Sequence, residues 1–432
     1  MALGVAALLG FYLVDSLFIA RLGTAPLAAQ AFTLPLTLLM IGLQVGIGIA
    51  QAALISRALG AGQTERAKRL SGLILLGGSM TTGLVCVLLW LLHPLLFPLL
   101  GADQSLMGLI RPYWAIQVCV LWLSSVIYLG YSLFRAYGNT RVPGMIMLLT
   151  SLLNVLLDPL LIFGIGPFPA LGLPGAAWAS LAAFAISGCV LAWLLAKQHW
   201  LTTQGLLTEL NVSFRPFSAI AGPAMLSQLM PPLAAMLATA MVASAGTNAV
   251  AAWGLITRVE GIMLVVVLAM TMALPPWLGR CYGAGDWPQI RRIMIASGQM
   301  IIVIQALLGL LVMLMADPLS RWLVTDPEVQ SYLATLLRWM PVSYTLLGIC
   351  MLVVSASNAL GWPLRAMAAS FARLFVCYVP LLAVGLWLNG LAGAAVGAAA
   401  GNMLAGILAW QLYRHSIKPH GDNDTLQSHS HG

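Results

Sequence analysis

The sequence predicts an all-α polytopic membrane protein with 12 transmembrane helices in two parallel-repeat six-helix bundles. Three observations carry this. Of 432 residues, 61% are hydrophobic and 7% charged, against about 25% charged in an average soluble domain. Two long stretches, Pro216 to Thr257 and Leu374 to Tyr413, contain no Asp, Glu, Lys or Arg. The two halves also repeat each other at a fixed spacing. With a mean hydropathy of +0.95, the composition excludes a soluble enzyme, a disordered chain and a nucleic-acid-binding domain. The net charge of +8 is accounted for by basic loops on one face of a lipid bilayer, so the bilayer rather than nucleic acid is the expected partner.

A helix needs about 20 apolar residues to cross a bilayer. Each charge-free run is long enough for two crossings, with turn residues near its midpoint (Gly246-Thr247-Asn248; Asn389-Gly390). The same rule applied throughout gives spans near 1–20, 29–56, 71–93, 112–134, 142–164, 172–196, 217–243, 248–278, 293–315, 331–356, 363–388 and 390–413. The first is not read as a cleaved signal peptide: it lacks a basic leader, carries Asp15 and ends in Ala20-Arg21. Residues 415–432 form a polar tail with His415, His420, His429 and His431, read as an unstructured cytoplasmic terminus rather than a metal site.

The repeat is visible residue by residue. RLGTAPLAA (Arg21 to Ala29) matches SAGTNAVAA (Ser244 to Ala252) at an offset of 223, and ISRALGAG (Ile55 to Gly62) falls on LGRCYGAG (Leu278 to Gly285) at the same offset. Farther on, PLLIFG from Pro159 resembles PLLAVG from Pro380, and GLPGAA from Gly172 resembles GLAGAA from Gly390. The expected domains are therefore 1–210, an N-terminal six-helix bundle with an ion or proton site, and 211–414, a C-terminal bundle. Duplicated bundles around a central site are a common architecture of alternating-access carriers. Span 7 contains Gly222-Pro223, whose equivalents at the same offset precede Met1, so span 1 has no counterpart of that proline.

Lys and Arg set the orientation. Arg57, Arg66, Lys68, Arg69, Arg135, Arg141, Lys197, Arg215, Arg280, Arg291, Arg292, Arg365, Arg414 and Lys418 fall on one side, and Arg21, Arg111 and Arg321 on the other, 14 against 3. The positive-inside rule then places both termini in the cytoplasm. Cys86, Cys119, Cys189, Cys281, Cys350 and Cys377 all lie in apolar stretches and read as buried hydrophobes. No metal or cofactor is expected, because no phosphate loop, CxxC, HExxH or acidic cluster is present. The chain is accordingly not read as an enzyme, and energy for any transport must come from an ion gradient.

Acids inside the spans carry the chemistry, because a carboxylate in hydrocarbon costs at least about 2.5 kcal/mol and marks an ion or proton pathway. Asp15 lies in span 1 and Asp158 in span 5, and Asn154 shares a helix face with Asp158 four residues earlier. Two acids facing one bundle interior exchange protons as a coupled pair. Their repeat partners, Ala238 and Val379, are apolar. Scaffolding would appear in both copies, so the asymmetry favours function. Glu260 in span 8 needs a partner. Arg258, two residues away, is on another face, and Arg373 in span 11 is a candidate. Methionines crowd spans 7 and 8 (Met225, Met230, Met236, Met241, Met263, Met270, Met272) and suit either core filling or an adaptable binding wall.

The ordered set VDSLFIARLG, ISRALGAG, LNVLLDP and LITRVEG, with twelve spans in two parallel repeats, resembles the multidrug and toxic compound extrusion (MATE) transporters, and its acids resemble the DinF branch. The resemblance implies a monomeric exporter, in the bacterial inner membrane, of drugs and other amphiphilic or cationic organic compounds in exchange for H⁺ or, alternatively, Na⁺. It implies a site of Asp15, Asn154 and Asp158 with Tyr113 and Ser180, and proton binding at the two acids that bends span 1 and releases substrate outward. It makes Arg258 and Glu260 an accessory intramembrane charge pair. Two features depart from the family: its proline early in span 1 is absent, and the acids that the NorM branch carries in spans 7 and 10 are missing. A flippase for a lipid-linked substrate is the alternative; it would line its cavity with arginines, and only Arg258, Arg338 and Arg373 are available within the spans.

Overall fold

The computed structural model describes residues 2–165 and 169–428, and all regular structure among them is helical. Helices α1 (Ala2–Ala20), α2 (Thr24–Gly60), α3 (Thr64–Leu99), α4 (Gln104–Ala136), α5 (Arg141–Phe163) and α6 (Leu173–Ala196) are followed by α7 (Leu206–Val242), α8 (Thr247–Met263), α9 (Val265–Gly283), α10 (Trp287–Leu314), α11 (Ala316–Leu323), α12 (Pro327–Ala359), α13 (Pro363–Phe371), a π-helical segment (Ala372–Tyr378) and α14 (Val379–Ser428). In hydrocarbon every backbone polar group must be satisfied within the chain, which is why helices carry the crossings.

Ten stretches among the described residues are long and apolar enough to cross a membrane. The 19-residue α1 adds one. The stretch Pro363–His415 makes two, because Asn389 and Gly390 leave helical geometry (Gly390 φ 55°, ψ −143°) and turn the chain back. The protein is thus an all-α polytopic membrane protein of twelve crossings. The eighth is made of α8 and α9, broken at Leu264, where a single helix was expected. The short helix α11 was not foreseen. It sits between two expected spans, and its Asp317 accepts from Arg338 Nη2 of α12 at 2.6 Å. The tail, expected to be unstructured, continues α14 as far as Ser428, each added residue contributing one helical hydrogen bond. His429 and His431, and the side chain of His420, lie outside the described residues.

Contacts divide the chain into two compact units, Met1–Met225 and Leu226–Gly432. The division falls inside α7. Its first half joins the first unit through Ile220 and Ala221, packed on Ala50 and Ala53 of α2. The first turn of α7 is tied to α3 by Glu209, which accepts from Arg66 Nε at 3.2 Å, Arg69 Nε at 3.4 Å and Ser213 Oγ at 2.6 Å.

The repeat extends to backbone torsions. Gly23 (φ 114°, ψ 179°) and Gly246 (φ 105°, ψ 169°) start α2 and α8 in the same conformation, one reserved for glycine. Gly62 and Gly285 have φ 73° and 74°. They close the same helix-ending motif, with Gln63 N donating to Ala58 O at 2.8 Å and Asp286 N to Cys281 O at 2.9 Å. Gly138 and Gly361 (φ 90° and 78°) add a pair at the same offset that sequence comparison did not single out.

Close helix approach in the second unit runs along Gly393, Gly397 and Gly401 of α14, one turn apart. A Cβ at Gly393 would collide with Gly385 O, at Gly397 with Leu381 O, and at Gly401 with the backbone of Cys377 and Tyr378. Without hydrophobic drive between helices in lipid, such small-residue stripes supply the packing. Gly393→Ala is therefore expected to cost about 1–3 kcal/mol by overpacking. Gly77→Ala, with open space around it, is expected to be neutral or stabilising. Thermal unfolding of the two detergent-purified variants, side by side, checks the contrast.

Candidate functional site

Helices α1 and α5 run side by side in the same direction. Near one end a Cβ on Gly4 would come within 2.6 Å of Gly144 O, and near the other Phe18 and Phe163 meet edge to face at 6.1 Å. The absence of a side chain at Gly4 lets the backbones approach. Asp15 and Asp158 each stand five residues before the ends of their helices, at Ala20 and Phe163. That places them at one level, about 7.5 Å from those ends, where the Asp158 carboxylate feels the charge of Asp15.

Asp158 is fully buried and Asn154, one turn earlier, is 1% exposed. The backbone N–H of Ser180 on α6 only donates, so the Asn154 amide turns its oxygen to it. Asn154 Oδ1 then accepts from Ser180 N at 3.3 Å and Ser180 Oγ at 2.9 Å, and Nδ2 donates to Asp158 Oδ2 at 2.7 Å. The carboxylate is thereby held from α5 and, through one amide, from α6. A hydrogen bond to a charged group contributes about 1.5–3 kcal/mol.

Asp15 is half-buried and receives Gln30 Nε2 of α2 on Oδ2 at 3.3 Å. Its Oδ1 is buried without a hydrogen-bond partner in the described structure. Tyr113 of α4, 5% exposed, lies in the field of both acids. The structure therefore gathers Asp15, Tyr113, Asn154, Asp158 and Ser180 into one polar centre within the first unit. It adds Gln30 and Thr33, which sequence reasoning missed. Their spacing of three puts both on one helix face, but nothing in the sequence says what that face meets.

The equivalents of the buried trio Asn154, Asp158 and Ser180 in the second unit are Phe375, Val379 and Ala398, all apolar. Arg258 and Glu260 are not brought together. Arg258 is exposed, whereas Glu260 is half-buried and lies in the field of the Arg373 charge in the π-helical segment. Among the described residues no group of three or more His, Cys, Asp or Glu could hold a metal ion.

Twelve crossings in two repeated units, with a buried carboxylate pair in one of them, define a polytopic membrane transporter. The MatE family profile matches residues 1–160 and again 223–384, once per repeat. The chain belongs to this family, the MATE transporters, which are not enzymes. It is similar to the Shewanella oneidensis FAD transporter, 34% identical over 96% of this chain and 93% of that protein. It is similar to the Bacillus subtilis probable multidrug resistance protein YoeA, 24% identical over 79% of this chain and 76% of that one. Among solved structures, the Vibrio cholerae MATE transporter VcmN in its bent form superposes with a TM-score of 0.93 at 43% identity, covering 97% of this chain and 95% of that one. A MATE in the straight conformation shares the fold at 22% identity, with a TM-score of 0.89 over 98% of this chain and 95% of that one.

Two substitutions rank the hydrogen bonds. Ser180→Ala removes one bond to Asn154 and is expected to cost about 1 kcal/mol, whereas Asn154→Leu strips Asp158 of its partner and is expected to cost about 3 kcal/mol when Asp158 is ionised. Unfolding midpoints of the two variants in detergent measure the ranking, and equal losses would contradict the geometry.

Proposed function

We propose that the protein is a secondary active exporter of amphiphilic or cationic organic compounds, of the DinF branch, driven by inward movement of H⁺ through the Asp15–Asp158 centre. One observation supports this above the others. A fully buried carboxylate, Asp158, is clamped by Asn154 within the field of a second carboxylate whose Oδ1 has no hydrogen-bond partner. Two acids at one level, one of them in the other's field, suit a centre that gains and loses a cation during each cycle. Tyr113, Gln30 and Ser180 position the two acids from three further helices. Na⁺ is the alternative coupling ion, because carboxylates, an amide and hydroxyls are hard oxygen donors.

The family likeness favours a monomer in the bacterial inner membrane, and the 14-to-3 distribution of Lys and Arg favours both termini in the cytoplasm. A second cargo is favoured by a specific observation: the Shewanella oneidensis protein, similar over 96% of this chain, is named an FAD transporter. A flavin dinucleotide is amphiphilic, with a planar ring and an anionic diphosphate. The flippase alternative is weakened, since Arg338 is occupied by Asp317 at 2.6 Å and Arg373 lies in the field of Glu260.

Ethidium accumulation in energised everted vesicles tests the reading. Uptake driven by an imposed pH gradient and abolished by Asp158→Asn is expected. Uptake driven only by a sodium gradient would replace the coupling ion. With correctly inserted protein, no uptake under either gradient would turn the assignment to the flippase. In the same vesicles, FAD accumulation measured by flavin fluorescence decides the second cargo.

A further inference from the structure

The first unit holds a row of polar side chains that extends well beyond the Asp15–Asp158 centre. On α2, Gln30, Thr33, Thr37, Gln44 and Gln51 are spaced by three, four or seven residues, so they share one face. The row begins at the Gln30 bond to Asp15. It runs about 31 Å along the helix at about 1.5 Å per residue, close to the thickness of bilayer hydrocarbon, about 30 Å. Helix α4 runs beside it. Ser125 Oγ donates to Gln44 Oε1 at 2.9 Å, and Ser132 Oγ donates to the carbonyl of Gly48. The Tyr128 ring lies on Gly48, where a Cβ would come within 2.6 Å of it. Gln51, one turn beyond Gly48, is completely buried, and neither its Nε2 nor its Oε1 has a hydrogen-bond partner among the described residues. A buried amide of this kind is the setting in which proteins hold internal water. At the far end Arg135, 5% exposed, places its guanidinium over the Tyr128 ring at 5.2 Å.

The repeat separates what packing requires from what this row adds. The bond from Ser132 is kept: at the same offset of 223, Ser355 Oγ donates to Thr271 O at 2.7 Å. The glutamines are not. Gln30, Gln44, Gln51, Ser125 and Tyr128 fall on Trp253, Val267, Leu274, Gly348 and Met351. A Cβ at Gly348 would come within 3.1 Å of Val267, so an apolar contact stands where the first unit has the Gln44–Ser125 bond. Glu260 occupies the position of Thr37, but Val267 and Leu274 interrupt any row beyond it. The row accompanies the acid pair, in the first unit.

We propose that the α2–α4 seam is a hydrated route by which the coupling proton leaves the Asp15–Asp158 centre, with Gln44 and Gln51 holding its water. The route rests on the proton coupling proposed above, and on the proposed orientation its far end faces the cytoplasm. A proton leaving the Asp15 carboxyl passes to a neighbouring water. Each water hands its own proton to the next, and one is released at the Arg135 end. The glutamine amides keep their protons and hold the water oxygens in line. Met40, 1% exposed, is the apolar side chain between Thr37 and Gln44 on this face, and its flexible thioether adapts to a passing water. The fixed charge of Arg135 lowers the proton affinity of water at the exit, which favours release, and opposes leak of bare cations.

Ethidium-induced proton efflux from acidified everted vesicles, read with a pH-sensitive acridine dye, tests the route. Gln51→Leu and Gln44→Val install the second unit's own residues. Each is expected to slow efflux roughly tenfold and to leave ethidium affinity, read by fluorescence polarisation on the purified protein, unchanged. Gln51→Asn, which keeps an amide, is expected to restore most of the rate. Water itself is read by radiolytic hydroxyl-radical labelling of the full-length protein. Ile47 and Ile55, one turn either side of Gln51, are 2% and 0% exposed. Both are expected to be labelled in the wild type and roughly fivefold less in Q51L. The route is overturned if neither isoleucine is labelled in the wild type, or if Q51L and Q44V both keep wild-type efflux while Asp158→Asn abolishes it. If D158N keeps efflux, or the wild type shows none, the proton coupling itself falls and the route with it. Should Q51L not insert, Q44V decides.

Discussion

Everything in this structure follows from the cost of leaving a polar group without a partner in hydrocarbon. Unsatisfied groups there cost several kcal/mol each. The chain answers with helices, and wherever a helix is interrupted a side chain fills the gap: Gln305 at the Met263 carbonyl and Ser355 at the Thr271 carbonyl. The same accounting makes the exceptions conspicuous. Asp15 Oδ1 is buried without a hydrogen-bond partner in the described structure, as are Gln51 Oε1, Gln305 Oε1 and the Tyr344 hydroxyl.

The duplicated fold separates structural from chemical roles. Glycines at 23 and 246, 62 and 285, and 138 and 361 keep matching torsions in both units, because the turns they make are needed twice. The polar centres are not duplicated. Asn154, Asp158 and Ser180 meet Phe375, Val379 and Ala398 in the other copy. Packing is also divided unequally. The second unit brings its last two crossings together on a three-glycine stripe. The first unit keeps this close approach at Gly175, where a Cβ would collide with Leu161 O, and carries Ala179 and Ala183 at the positions of the other two glycines.

Sequence patterns carried far for elements whose physics is local. Hydrophobic length located the crossings, and glycine at turns marked their ends, because both depend on a residue's own chemistry. The break at Leu264 was not legible: no glycine or proline stands there, and the interruption is sustained by Gln305 from another helix, 42 residues away. Helix α11 was likewise hidden between two spans. At the polar centre, Asp15, Asn154 and Asp158 announced themselves as charges or amides in apolar runs. Gln30 and Thr33 did not, since uncharged polar residues near a helix start are common and acquire meaning only from what faces them.

The sequence by itself determined the solvent, the number of crossings, the duplication and the confinement of the Asp15–Asp158 acids to one copy. These are properties of composition and order along the chain. The tertiary structure decided which side chains meet: Asn154 with both Asp158 and Ser180, Gln30 with Asp15, and Gln305 with the Met263 carbonyl. The reason is geometric. Residues two apart on a helix point apart, while residues 15 or more apart become neighbours only through interhelical packing.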